Sequence, residues 1–169
     1  MQTIRLFFLA LLVCLGTAHT VQAAPFVSPH GYSITPAPGW AVNKSGMMGA
    51  DVIIYTRAVG GFAPNLDVVI TPTKLGQTLE QAQAEVTKGY SELLPQGKLV
   101  RTGYETVDNV RGLVVVGTYL QGVQRLAGYE VIVIKHGKAY TFVGVVPEAL
   151  QARYAPAFAQ MLRSVRWSR

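Results

Sequence analysis

Cysteine is almost absent from this chain, since Cys14 is the only one among 169 residues. It lies in an N-terminal segment that we expect to be removed, so the mature protein should have no thiol. Disulfide bonds, cysteine nucleophiles and thiolate metal sites are then excluded together. Val13 stands before the cysteine, where a lipoprotein signal usually has Gly, Ala or Ser, so lipid attachment is not indicated.

Apolar runs long enough to cross a bilayer are also missing. Residues 6–15 are apolar but too few to span it, and no later stretch approaches the roughly 18 residues of a second anchor. A short basic head ending at Arg5 and a small-residue exit at Val21-Gln22-Ala23 predict a signal peptide over residues 1–23, cleaved near Ala23–Ala24. We therefore expect an exported, periplasmic protein without a transmembrane segment, whose single domain spans residues 24–169.

Acidic residues are few. Without Arg5 the chain has 14 Lys and Arg against 9 Asp and Glu, an excess that favours anionic surfaces. Export argues against nucleic acid as the partner. Anionic lipid head groups, an acidic polysaccharide or an acidic protein remain as candidate partners.

Catalytic signatures are absent as well. The chain has no Gly-x-Ser-x-Gly nucleophile turn, no phosphate-binding Gly-Lys-Ser/Thr loop and no dinucleotide fingerprint. The two mature histidines, His30 and His136, have no second ligand at chelating spacing, and His136 is expected at an exposed hairpin end. We therefore assign no catalytic residue, no cofactor and no metal, and the sequence gives no positive evidence for an enzyme.

Two chemical alternatives stay open. Asp51, Asp67 and Glu130 lie in or beside predicted strands, where paired carboxylates could hydrolyse glycosides, although such acids more often cap turns or pair with bases. Met47-Met48 with His30 could bind Cu(I), although loop methionines more often fold onto the core.

The predicted elements alternate between strands and two helical regions. Thr78 opens the first helix, with Gln81 completing a capping box, and the second begins after Pro147 and should be kinked or split by Pro156. Gly137-Lys138 predicts a two-residue hairpin turn. The apolar face of the first helix is Leu79, Ala82, Val86, Tyr90 and Leu93, and the predicted strands are 31–35, 51–58, 67–71, 99–106, 110–120, 128–136 and 139–146.

Two strands are apolar at consecutive positions instead of alternate ones. This pattern is found in residues 113–116 and 131–134. A sheet with one wet face would alternate apolar and polar residues, so both faces should be covered. We predict an α+β fold in which a mainly antiparallel sheet carries helices on both faces, an α-β-α sandwich.

Several turns and caps resemble those of the PsbP-like group, which includes extrinsic photosystem subunits and DcrB-like bacterial envelope proteins. The resemblance rests on Gly31-Tyr32-Ser33-Ile34 leading to Pro38-Gly39-Trp40, on the step Asn65-Leu66-Asp67-Val68, on the helix from Leu79, and on the ending 158–165. It extends over nearly the whole mature chain. It implies an α-β-α sandwich and an accessory or docking role, and it brings no catalytic residues.

The leading functional hypothesis is a non-catalytic envelope protein that docks on a partner protein or a membrane-associated complex. Two basic groups are the candidate docking residues: Lys135 and Lys138 in one hairpin, and Arg163, Arg166 and Arg169 beside Trp167 at the C-terminus. The arginines also suit the last turn of a helix, where they meet its negative end.

The alternative hypothesis is a small-ligand binder. Its pocket would lie between the sheet and loop 60–65, with Phe62 as a lid and Asn65 at the end of the loop. A hydrolase whose site is not visible in the sequence comes third.

Overall fold

A seven-stranded antiparallel sheet forms the centre of the protein. The computed structural model describes residues 23–168, so the signal-peptide prediction up to Gln22, including Cys14, and the predicted docking residue Arg169 lie outside it. The strands run in the order β3-β4-β5-β9-β8-β7-β6. They are β3 (Ala41–Asn43), β4 (Ala50–Tyr55), β5 (Asn65–Pro72), β6 (Lys98–Val107), β7 (Val110–Gln121), β8 (Gln124–Lys135) and β9 (Lys138–Pro147).

A second, small sheet covers part of the large one. It consists of β1 (Phe26–Ser28), β2 (Tyr32–Ile34) and β10 (Arg166–Trp167), in the order β1-β2-β10. The two helices are α1 (Leu79–Leu93) and α2 (Gln151–Arg163). The predicted α+β class with a mainly antiparallel sheet is therefore confirmed.

Consecutive apolar residues of β7 belong to two different hydrophobic clusters. Val114 and Val116 pack in the larger cluster, which also contains Tyr32, Phe142 and Phe158. Leu113 and Val115 pack in a smaller cluster with Ala82 and Tyr90 of α1. The side chains of a strand point alternately to its two faces, so the uninterrupted apolar run reflects packing on both of them.

The start of α1 is as predicted, but one residue of its apolar face is not. The Thr78 hydroxyl accepts a hydrogen bond from the Gln81 amide, and the Gln81 side chain accepts one from the Thr78 amide. Leu93 is exposed, and Leu94 packs against the smaller cluster instead. Leu94 lies just beyond the helix with extended backbone, and this turns its side chain back to the sheet.

The sequence predicts that Pro156 kinks or splits the second helical region, but the region is not split there. A short 3₁₀ turn over Glu148–Leu150 comes first, and α2 then continues through Pro156 to Arg163. Proline has no amide hydrogen, so the Ala152 carbonyl lacks its usual helical donor. Ala152 is an exposed residue, where water can donate instead. The backbone departs from helical geometry at Leu150 instead, where the 3₁₀ turn joins α2.

The β8–β9 turn lies one residue earlier than predicted. Lys138 already pairs with Lys135, so the turn residues are His136 and Gly137. Their φ angles are 49° and 72°, as a type I′ turn requires, and this turn matches the twist of the two strands. His136 is exposed there, as predicted.

Candidate functional site

Three loops meet at one end of the large sheet, which we call the hairpin end. They are loop 44–49 before β4, loop 73–77 after β5, and the turn at His136 and Gly137. The Thr73 amide donates to the Gly137 carbonyl at 2.9 Å, which joins the second loop to the turn. A cleft of about 310 Å³ lined by His30, Gly46, Gly49 and Ile70 joins the first loop to the same end.

The predicted lysine pair lies at this end, and Trp167 of the C-terminal group lies beside it. Lys135 and Lys138 face each other across the β8–β9 ladder. The Lys135 ammonium lies 5.8 Å from the centre of the Trp167 ring, within the range of a cation–π contact. Trp167 in turn pairs with Tyr32 of the small sheet. The structure thus brings Lys135, Lys138 and Trp167 together, although Lys138 and Trp167 are 29 positions apart in the sequence.

Trp167 is held within the fold. Its ring contacts the rings of Tyr32, Tyr140 and Phe142, with the Tyr140 centroid 5.0 Å away. Its indole Nε1 donates to the Val107 carbonyl at 3.0 Å. The side chain is half-buried, so its first role is to fasten the C-terminus and to support Lys135.

The arginines lie at the end of α2. The Arg166 guanidinium donates to the Arg163 carbonyl at 2.8 Å and to the Val165 carbonyl at 2.6 Å. The Arg163 carbonyl is at the end of the helix, where carbonyls have no intrahelical donor, so Arg166 stabilises that terminus. Arg163 is exposed in the last helical turn.

Asp51 connects the small sheet to the large one. Its Oδ2 accepts hydrogen bonds from the Ser28 hydroxyl at 2.6 Å and the Tyr32 hydroxyl at 2.7 Å. His30 Nε2 lies 3.6 Å from Oδ1. Burial, followed by the bond to Asp51, raises the pKa of the Tyr32 phenol far above its ordinary value. The phenol therefore stays a neutral donor, and the cluster acts as a structural joint.

The copper hypothesis finds only part of its ligand set in one place. His30 lines the cleft at the hairpin end, but Met47 and Met48 are exposed rather than folded onto the core. Within residues 23–168 no three His, Cys, Asp or Glu side chains gather as metal ligands.

The predicted ligand loop is closed by its own backbone. The amides of Val59 and Phe62 each donate to the other residue's carbonyl, and Phe62 is half-buried. Asn65 begins β5, and its Nδ2 donates to the Ala63 carbonyl. Its Oδ1 is buried without a hydrogen-bond partner among the described residues, and so is Oδ1 of Asp67, two residues along the strand.

Asp67 and Glu130 occupy one row of the large sheet. Both pair with Val143, from opposite sides, so their Cα atoms are about 10 Å apart. Burial raises the pKa of Asp67 to about 6, and burial also raises the pKa of Glu130. Asp51, the third acid of the hydrolase hypothesis, is engaged elsewhere with Ser28 and Tyr32.

Replacing Asp67 by asparagine should raise stability at neutral pH. The pKa of Asp67 is above its ordinary 3.8 in the folded state, so the folded protein binds more protons between about pH 4 and 6, and wild-type stability should fall as the pH rises through that range. Urea unfolding at pH 4 and pH 7 should show Asp67→Asn more stable by about 1–2 kcal/mol at pH 7 and less dependent on pH. An unchanged pH profile would contradict the assignment to Asp67.

Comparison with solved structures identifies the fold. No family model and no curated protein matches the chain. A cyanobacterial PsbP (CyanoP) from Synechocystis sp. PCC 6803 superposes with a TM-score of 0.63 at 18% identity, covering 92% of this chain and 98% of that one. The chain has a PsbP-like fold. The resemblance predicted from the turns and caps of the sequence is thereby confirmed at the level of fold.

Two further solved structures are similar to this chain. LpqN of Mycobacterium tuberculosis, described as involved in cell envelope biogenesis, gives a TM-score of 0.64 at 12% identity and covers 86% of this chain and 90% of its own. PA94 of Pseudomonas aeruginosa, a protein of unknown function, gives 0.61 at 11% identity and covers 85% and 95%. At these identities the likeness concerns the fold alone. None of the helices in the described part of the chain is both long and apolar enough to span a membrane.

Proposed function

We propose that this chain is an exported, non-catalytic accessory protein of the cell envelope, located in the periplasm, that docks by its hairpin end on a membrane-associated partner. The signal-peptide pattern of residues 1–23 supports export. LpqN, with the same fold, is described as involved in cell envelope biogenesis, which is compatible with this assignment.

The observation that carries the proposal is the charge of the hairpin end. Lys44 lines its cleft, Lys74 lies in its second loop, and Lys135 and Lys138 border its turn. Lys74 pairs with Glu85 at 3.4 Å, whereas the other three lysines have no carboxylate within salt-bridge distance among the described residues. Such an unbalanced surface attracts an anionic partner over a distance of about 8–10 Å at physiological salt.

We also infer that α1 and α2 lie on opposite faces of the large sheet, which completes the α-β-α sandwich. Leu113 and Val115 pack with α1, whereas Val114 and Val116 belong to the cluster that contains α2. Helices on both faces leave the two ends of the sheet and its edge strands, β3 and β6, as the surfaces open to a partner. This arrangement is compatible with docking through an end.

The docking proposal predicts a charge-dependent association with membranes. The processed protein should sediment with native envelope membranes from the host. Lys135→Gln/Lys138→Gln should weaken this binding by about tenfold or more, since each lysine near an anionic surface contributes about 1 kcal/mol. Lys88→Gln/Lys98→Gln is the matched control, because both lysines are exposed and lie outside the hairpin end. Equal sedimentation of the two double variants would reject docking through this end.

A second candidate, a small-ligand site beside loop 60–65, is favoured by one observation. Buried Oδ1 atoms of Asn65 and Asp67 have no donor among the described residues, and a buried unpaired acceptor costs about 1–3 kcal/mol. A ligand that donates hydrogen bonds there would remove this cost. It would then raise the unfolding temperature of the wild type more than that of Asp67→Ala, which lacks one of the two acceptors.

A further inference from the structure

The hairpin end carries large apolar side chains that no part of the described fold covers. Met48 keeps 87% of its surface exposed and Met47 keeps 52%, in loop 44–49. Leu75, in loop 73–77, is fully exposed. Exposed apolar residues scattered singly are ordinary, but three on two adjoining loop tips are not explained by the core.

The backbone of the first loop holds its methionines outward. Gly46, Met48 and Gly49 all have positive φ angles, of 73°, 55° and 75°. A positive φ is uncommon for a residue with a side chain, so Met48 adopts it at a cost. The Gly49 amide donates to the Gly46 carbonyl, which closes the loop into a tight turn with its two thioethers at the tip.

These apolar tips share the hairpin end with its lysines. Lys44 is the first residue of loop 44–49, Lys74 is the neighbour of Leu75 in loop 73–77, and Lys138 lies opposite Pro72, just before that second loop. Apolar tips ringed by lysines are the pattern of a surface that lies in the interfacial layer of a membrane. There the ammonium groups meet anionic head groups and the apolar groups reach the acyl boundary.

We propose that the hairpin end binds the lipid bilayer itself, with Met47, Met48 and Leu75 inserted among the head groups of an anionic membrane. This inference rests on the proposed docking function and names the membrane-associated partner as lipid. A protein partner would be expected to cover one contiguous apolar patch with a polar rim. Here the apolar groups stand on separate tips with lysines between them, which favours a fluid layer that can close around each tip.

Protein-free vesicles test this inference. The processed protein should sediment with vesicles containing anionic phosphatidylglycerol and not with vesicles of phosphatidylcholine alone. Met48→Ser/Leu75→Ser should weaken binding to the anionic vesicles by about tenfold. The variant lacks two apolar side chains whose transfer from water into the bilayer favours binding. Leu93→Ser/Val123→Ser is the matched control: both residues are as exposed, at 82% and 97%, and neither lies in the three loops of the hairpin end.

A second measurement reports insertion directly. Tryptophan fluorescence of Met48→Trp should be quenched by bromine-labelled lipid more strongly than that of Leu93→Trp, because only position 48 is proposed to enter the bilayer. Both variants retain Trp40 and Trp167, which give the same background. Equal quenching, or equal binding of the two serine double variants, would overturn the inference.

The outcomes separate this inference from the docking proposal. Binding to native envelope membranes without binding to anionic vesicles would overturn lipid insertion and point to a protein partner, while docking through the lysines would stand. Loss of the lysine effect on native membranes would reject docking itself.

Discussion

Trp167→Ala is expected to lower the free energy of unfolding by about 3 kcal/mol. The ring fills space between Tyr32, Tyr140 and Phe142, all buried, so its removal leaves a cavity in the larger hydrophobic cluster. The change also leaves the Val107 carbonyl without its donor. Urea denaturation followed by far-ultraviolet circular dichroism measures the effect without relying on the tryptophan signal.

The control for this change is an aromatic residue outside the cluster. Tyr55→Ala removes a ring that is exposed at the end of β4, so it should cost less than about 1 kcal/mol. Similar losses for the two variants would mean that Trp167 does not fasten the C-terminus. The stability measurement on Trp167→Ala also serves the docking experiment. A loss of membrane binding in this variant is evidence for docking only under conditions in which the variant remains folded.

The sequence is a good guide to elements whose signals are local. The capping box at Thr78 and Gln81 needs only a four-residue motif, and the structure contains it. The doubly apolar runs in β7 and β8 predict burial on both faces because side chains alternate along a strand. The hairpin turn is misplaced by one residue, since glycine fits either turn position and only the register with Lys135 settles which.

Tertiary context overrides local signals elsewhere. Pro156 predicts a kink or a split, but α2 is not split there, and Ala152, whose carbonyl loses its donor, is an exposed residue. Leu93 continues the helical apolar period, yet Leu94 makes the contact because the chain has left the helix there. In both cases the deciding fact is what surrounds the residue, which periodicity does not describe.

The candidate site could be predicted only in pieces. Lys135, Lys138 and Trp167 are recognisable as basic or amphipathic residues, but their contact depends on the pairing of β10 with β2 and of β8 with β9. Leu75 carries no sequence signal, because an isolated leucine in a loop resembles any core residue. Likewise, Asp67 and Glu130 lie in one row because of the order of the strands, which the spacing of the two residues in the sequence does not reveal.

Gly117→Ala is expected to lower the free energy of unfolding by up to about 3 kcal/mol, because α1 packs against this bare point of β7. A methyl group there would overlap the phenol of Tyr90, which is buried in the smaller cluster. The obstacle is a rigid ring, so α1 would have to move away from Leu113 and Val115. Thermal unfolding followed by far-ultraviolet circular dichroism should show a lower midpoint.

Two comparisons decide whether the clash is the cause. Gly103→Ala, on β6, places a methyl group where no atom lies within 4 Å, so it should change stability by less than about 0.5 kcal/mol. Tyr90→Leu removes the ring, so the loss caused by Gly117→Ala should be smaller in that background, with a coupling of about 1 kcal/mol or more. Strictly additive losses, or equal losses at Gly117 and Gly103, would show that the glycine matters for the strand itself. Either outcome would mean that the close approach of α1 is not the reason for glycine at position 117.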